Sequence, residues 1–148
     1  MINTLCVRTE NINNSKFRKK GGGTGMISFE DFVLQDDSPI YLQIIRYVKR
    51  GIVSGAIENG EEMISRRALS ALLGVNPNTI QKAYHMLEEE GIIYSRSGAK
   101  SCVEVDEAMK ESIRRTLLSQ DTLKWVQSMK QMGVSMEEAL ELCREVWE

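Results

Sequence analysis

The chain has 148 residues, 42% hydrophobic and 27% charged, enough for one modest domain with an appendage. No apolar run approaches the roughly 20 residues of a membrane span. The opening stretch MINTLCVRTENINNSKFRKKGGGTG has no apolar segment of signal-peptide length, so the expected location is the cytoplasm. Three scattered cysteines and a single histidine, His85, leave no metal-ligand spacing and no catalytic constellation, so no metal, cofactor or enzymatic activity is expected.

The net charge of −2 offers no global attraction to nucleic acid, but its distribution is uneven. Residues 1–25 hold five Lys/Arg against one acid, residues 26–105 hold eight against eleven, and residues 106–148 hold six against nine. Residues 1–25 read as a disordered basic leader ending in Gly21-Gly22-Gly23-Thr24-Gly25. One reading is a flexible arm that finds phosphate. The other is a purine-rich ribosome-binding site translated in frame, which makes Met26 the expected native start. Peptides from upstream of Met26 in the native protein would refute that second reading.

A helix is expected over 38–54, with Ser38 as N-cap and Pro39 as its first residue. Tyr41, Ile44, Ile45, Val48 and Ile52 form its apolar stripe, and Gly55 stops it. A second, short helix runs from about Ser65 to Leu73, with Ser65 as cap and Ala68, Leu69 and Leu72 facing inward. Arg66 and Arg67 sit in its first turn, where two cations oppose the helix dipole. They point to an anionic partner or are ordinary solvated arginines.

Gly74 and Val75 make the turn into a third helix, capped by Asn76 with Pro77 at N1. Ile80, Ala83, Tyr84 and Leu87 repeat at i, i+3, i+4, i+7 and form the buried side. Asn78, Gln81, Lys82 and His85 share the opposite face, Glu88, Glu89 and Glu90 lie at the far end, and Gly91 ends the helix. Strands over Ile92–Arg96 and Lys100–Val105 flank a turn at Ser97-Gly98-Ala99. The fold class is therefore mainly α with a small β-hairpin wing: a winged helix-turn-helix domain over 26–105.

Residues 106–148 are a helical tail, with helices at about 107–132 and 136–148. Gly133 closes the first, and Ser135 with Glu138 forms a capping box, with Val134 stapled against Ala139. In the last helix Ala139, Leu142, Cys143 and Val146 make one stripe, widened by Met136, Leu140 and Trp147. So broad an apolar surface on so short a helix calls for a partner chain. The expected dimer contacts are Met109, Ile113, Leu117, Val126, Met129, Leu140, Cys143 and Trp147.

Residues 36–105 resemble the DNA-binding domain of the GntR family of bacterial transcription regulators. The resemblance rests on Pro39-Ile40-Tyr41, on Met63-Ile64-Ser65-Arg66-Arg67-Ala68-Leu69, and on Gly74-Val75-Asn76-Pro77-Asn78-Thr79-Ile80. Val75-Asn76-Pro77-Asn78-Thr79, with Ala83-Tyr84 and Leu87-Glu88 before Gly91, is most similar to the YtrA subfamily. There a short two-helix tail serves dimerisation in place of a large effector domain. This sequence departs from the family at Ile64, where Pro is usual. It departs again in the wing, which lacks the second glycine and the aromatic; Lys100 offers a phosphate contact there instead.

The resemblance implies a regulator, a repressor in type, that binds a palindromic double-stranded DNA operator as a homodimer, with transporter genes as the expected targets. It also assigns Arg67 the role of the family's DNA-contacting arginine. On general grounds Asn and Gln pair with adenine and Lys with guanine in the major groove, which makes Asn78, Gln81 and Lys82 the base-reading set. Thr79, Arg66, Gly98 and Lys100 complete the expected DNA contacts, and Asn76 either caps the helix or joins them. Trp125, Met129, Met132 and Trp147 are plain core or line an effector site of unknown ligand. The rival function is a winged helix that binds protein, with the tail as its docking surface.

Overall fold

The computed structural model describes residues 25–96 and 100–147; residues 1–24 of the basic leader and Gly98 lie outside the described residues. The chain divides into two compact units between Glu107 and Ala108. The first contains helices α1 (Ile40–Ser54), α2 (Arg66–Leu73) and α3 (Pro77–Glu89), then strands β1 (Ile93–Arg96) and β2 (Lys100–Val103). Two further helices follow, α4 (Glu107–Gln131) and α5 (Met136–Trp147). The described chain is thus mainly helical with one antiparallel hairpin.

Helix α1 buries Ile44, Ile45, Val48 and Ile52 of the predicted stripe, and Tyr41 at its head is half-buried. Its start differs from the expectation: Pro39 is the N-cap, with ψ 136°, and the helix begins at Ile40. The Ser38 hydroxyl donates to Asp37 instead of capping. The Gln43 side-chain amide reaches back to the carbonyls of Ser38 (2.6 Å) and Gln35 (2.7 Å) and accepts from the Gln35 N–H (2.9 Å). This clamp holds the entering chain against the first turn. Phe29, Phe32 and Tyr47 then stack in a cluster with centroids 4.9–5.9 Å apart, which pins residues 26–35 on α1.

Helix α2 is capped as expected, the Ser65 Oγ accepting from the Ala68 N–H at 3.1 Å. Its inward face is shifted by about one residue. Leu69 and Ser70 are buried, while Ala68 is exposed and Leu72 is 52% exposed. Ser70 tolerates burial because its hydroxyl donates to the Val75 carbonyl at 2.7 Å, closing the turn into α3. Gly74 makes that turn with φ 64°, a left-handed conformation that a Cβ disfavours.

Ile80, Ala83, Tyr84 and Leu87 of α3 are all buried against α1 and α2. The helix leaves through a Schellman arrangement: Gly91 (φ 71°) donates to Glu88 and Ile92 donates to Leu87. Ile92 is thereby taken from the expected strand, and the hairpin pairs Ile93 with Val103 through Arg96 with Lys100. The far edge of β2 is covered, because Met63 donates to Ser101 and Val103 donates to Glu61. Residues 60–63 are in turn tied to the amino-terminal segment, Ile27 donating to Glu62 at 2.9 Å.

In the second unit α4 ends at Gly133 with both bonds of a Schellman motif, Gly133 to Lys130 and Val134 to Met129. The Ser135 Oγ accepts from the Glu138 N–H at 3.2 Å and starts α5. Ala139 is buried, but Met136, Leu140, Leu142, Val146 and Trp147 are exposed, the last at 90%.

Candidate nucleic-acid interface

The front of α3 is set by its cap. The Asn76 Oδ1 accepts from the Asn78 N–H at 2.8 Å, and the Asn76 carbonyl accepts from the Thr79 N–H, so the side-chain oxygen of Asn76 is engaged in starting the helix. Asn78, Gln81, Lys82 and His85 are exposed along the face opposite the core, and Thr79 is half-buried beside it. The amide groups of Asn78 and Gln81 have no intramolecular side-chain partner among the described residues.

The acids at the rear of α3 are each tied down. Glu88 accepts from the Arg66 Nη2 (2.8 Å) and from the Ser95 hydroxyl (2.6 Å). Glu89 lies 3.3 Å from the His85 Nε2, and Glu90 lies 2.5 Å from the Lys49 Nζ. Glu88 and Glu90 thus contact neighbouring elements, and Glu89 stays beside His85 of its own helix, all at the end away from Asn78.

The predicted cations have different surroundings. Arg67 is exposed and has no ion pair among the described residues. Arg66 is half-buried, bonded to Glu88, with its guanidinium 5.2 Å from the Tyr84 ring centroid. Lys82 holds its ammonium 3.8 Å from the centroid of Tyr41, on α1. Lys100 is exposed and pairs with Glu62 at 3.1 Å. Tyr84 binds α3 to the segment before α2, its hydroxyl donating to the Ile64 carbonyl at 2.6 Å. Burial pushes that phenol well above its ordinary range, and the nearby Arg66 charge only partly offsets the shift.

Sequence reasoning missed Tyr41 as the partner of Lys82, Glu88 as the partner of Arg66 and Ser95 as a second donor to Glu88. Periodicity places each on its own element and carries no signal for contacts between elements. Of the expected dimer contacts, Ile113 and Leu117 are already buried within one chain. Met109, Val126, Met129 and Cys143 are half-buried, and Leu140 and Trp147 are exposed. Trp125 is half-buried and Met132 exposed.

Residues 40–103 match the sequence profile of the bacterial regulatory proteins of the gntR family. The HTH-type transcriptional regulator YhcF of Bacillus subtilis is 32% identical over 115 residues, spanning 75% of this chain and 92% of its own. The chain belongs to the GntR family. It is a DNA-binding transcriptional regulator of helix-turn-helix type. This GntR chain is also 30% identical over 119 residues to the transcriptional repressor YtrA of B. subtilis, spanning 76% of this chain and 87% of that one. Among solved structures, a GntR family transcriptional regulator from Listeria monocytogenes superposes with a TM-score of 0.67 at 34% identity, over 76% of this chain and 98% of that one. Among the described residues no helix is long and apolar enough to cross a membrane.

Proposed function

We propose that this GntR chain is a repressor that binds a palindromic operator as a homodimer. The observation that carries the proposal is the polarity of α3 and its surroundings. Arg67, unpaired among the described residues, opens α2, and an outer face of Asn78, Gln81 and Lys82 begins just behind a capped helix front, while Glu88, Glu89 and Glu90 are engaged at the rear. A recognition helix places its amino-terminal residues against base edges in the major groove. Asn78 and Gln81 offer the bidentate amides that suit adenine N6 and N7. Arg67 takes phosphate, and Arg66 and Lys100 reach phosphate only by sharing or releasing Glu88 and Glu62. Thr79 completes the contact among the described residues; the expected contact at Gly98 lies outside them.

One protomer brings few cations, so a half-site binds weakly and a dimer is needed for tight, salt-sensitive binding. The exposed apolar residues of α5 supply the surface for it. Half-sites are expected about one helical turn apart, roughly 34–36 Å. Similarity to the transcriptional repressor YtrA supports repression, and transporter genes are the targets that the subfamily resemblance implies. Selection from a random duplex library with the full chain tests the proposal. A recovered palindrome supports it, whereas a single asymmetric half-site refutes the dimer and no enrichment at low salt refutes operator recognition.

A further inference from the structure

We propose that Lys82 is a phosphate anchor stationed by Tyr41, and that base reading by α3 falls to Asn78 and Gln81. This deepens the operator-binding proposal and rests on it. Lys82 lies one turn behind Asn78 on the exposed face of α3. Its ammonium sits over the ring of Tyr41 in the first turn of α1, 3.8 Å from the centroid. The Tyr41 ring is itself half-buried, at the head of the stripe that continues through Ile44, Ile45 and Val48, and α1 packs on α3. The platform is therefore held in place by the core.

The negative face of an aromatic ring attracts an ammonium and removes much of the rotamer freedom of a four-carbon stem. To read guanine O6 or N7, Lys82 would leave the ring and stretch to the groove floor. A phosphate on the groove wall imposes no such loss, because an ammonium has three N–H donors and the ring leaves others directed outward. Phosphate contacts set the register of the protein on DNA and base contacts supply specificity. Tyr41 is thus a positioning residue, acting on DNA through Lys82. The sequence code of each half-site is left to two amides that both favour adenine.

The test uses the full chain, the operator recovered by selection, and its single-base variants, with affinity measured across salt concentrations. Lys82→Met is expected to reduce the salt slope by about one per protomer and to weaken all sequences alike. Tyr41→Leu is expected to lose roughly two- to five-fold in affinity, Tyr41→Phe to retain it, and Tyr41→Leu to add nothing in the Lys82→Met background. Loss of preference at a single base position in Lys82→Met overturns the anchor role. An undiminished Tyr41→Leu effect in the Lys82→Met background overturns the positioning role and makes the ring merely structural. A wild type that selects no operator overturns DNA recognition by α3 itself, and this proposal with it.

Discussion

Arg66 and Arg67 are adjacent in the first turn of α2 and end in different surroundings. Arg67 is exposed, while Arg66 is drawn to Glu88 and Tyr84. Arg67→Ala is therefore expected to weaken operator and non-specific DNA alike and to lower the salt slope by about one per protomer. It should leave folding stability within about 0.5 kcal/mol, since the side chain is solvated. Binding isotherms at several salt concentrations and a urea melt check both. Tyr84 acts oppositely, through the fold. Its hydroxyl is buried on the Ile64 carbonyl, so Tyr84→Phe is expected to cost about 1–3 kcal/mol near neutral pH by leaving that carbonyl unsatisfied. Burial raises its folded pKa above the ordinary value of 10.0. The unfolded chain thus loses the proton first, and stability is complete below about pH 10 and falls as pH rises beyond it. Tyr47, raised mainly by burial and also by Asp31, contributes in the same direction. Urea melts at rising alkaline pH are expected to show a smaller decline for Tyr84→Phe than for wild type.

At the scale of elements, the caps of α2 and α3 were predictable because they are local. Ser65 and Asn76 each bond an N–H two or three residues ahead, and the residue types alone announce it. Asn76→Ala is expected to cost about 1 kcal/mol in a denaturant melt and to fray the front of α3, where the base-reading amides sit. The joint between α2, α3 and β1 is of another kind. Glu88 accepts from Arg66 and Ser95 together, so one carboxylate ties the recognition helix to the helix before it and the strand after it. Glu88→Ala is expected to destabilise the domain by about 1–3 kcal/mol and to speed amide hydrogen exchange in β1. Unchanged exchange in β1 would show that Ser95 needs no such tether.

For the whole molecule, the apolar surface of α5 has more to explain than one chain accounts for. Met136 is 71% exposed and Trp147 90%, beside Leu140 and Val146. A pair of substitutions, Leu140→Glu with Trp147→Glu, is expected to give a monomer in sedimentation equilibrium. It should also lower affinity for the two-half-site operator by roughly 100-fold or more, through loss of the linked second contact. Affinity for an isolated half-site should not change. A double variant that remains dimeric would place the interface on other residues of the tail.

The sequence by itself determined the order of the helices, the hairpin, the buried face of α3 and the polar face opposite it. Each depends on a period or on a cap, and both are written in residues a few positions apart. The inward face of α2 was less legible, because a two-turn helix shows too little of its period and Ser70 looks polar until the Val75 carbonyl is found beside it. The start of α1 was misplaced by one residue for a similar reason: no side chain caps the helix, and the entering chain is held instead by the Gln43 amide donating to the Ser38 carbonyl. Tertiary structure alone decided which exposed charges remain free. Lys82 meets Tyr41, Arg66 meets Glu88 and Lys100 meets Glu62 across 22 to 41 residues of sequence, distances over which no periodicity carries information. Coulombic and cation–π attraction depend on proximity in space, and only the packing of α1, α2 and α3 around their shared core creates that proximity.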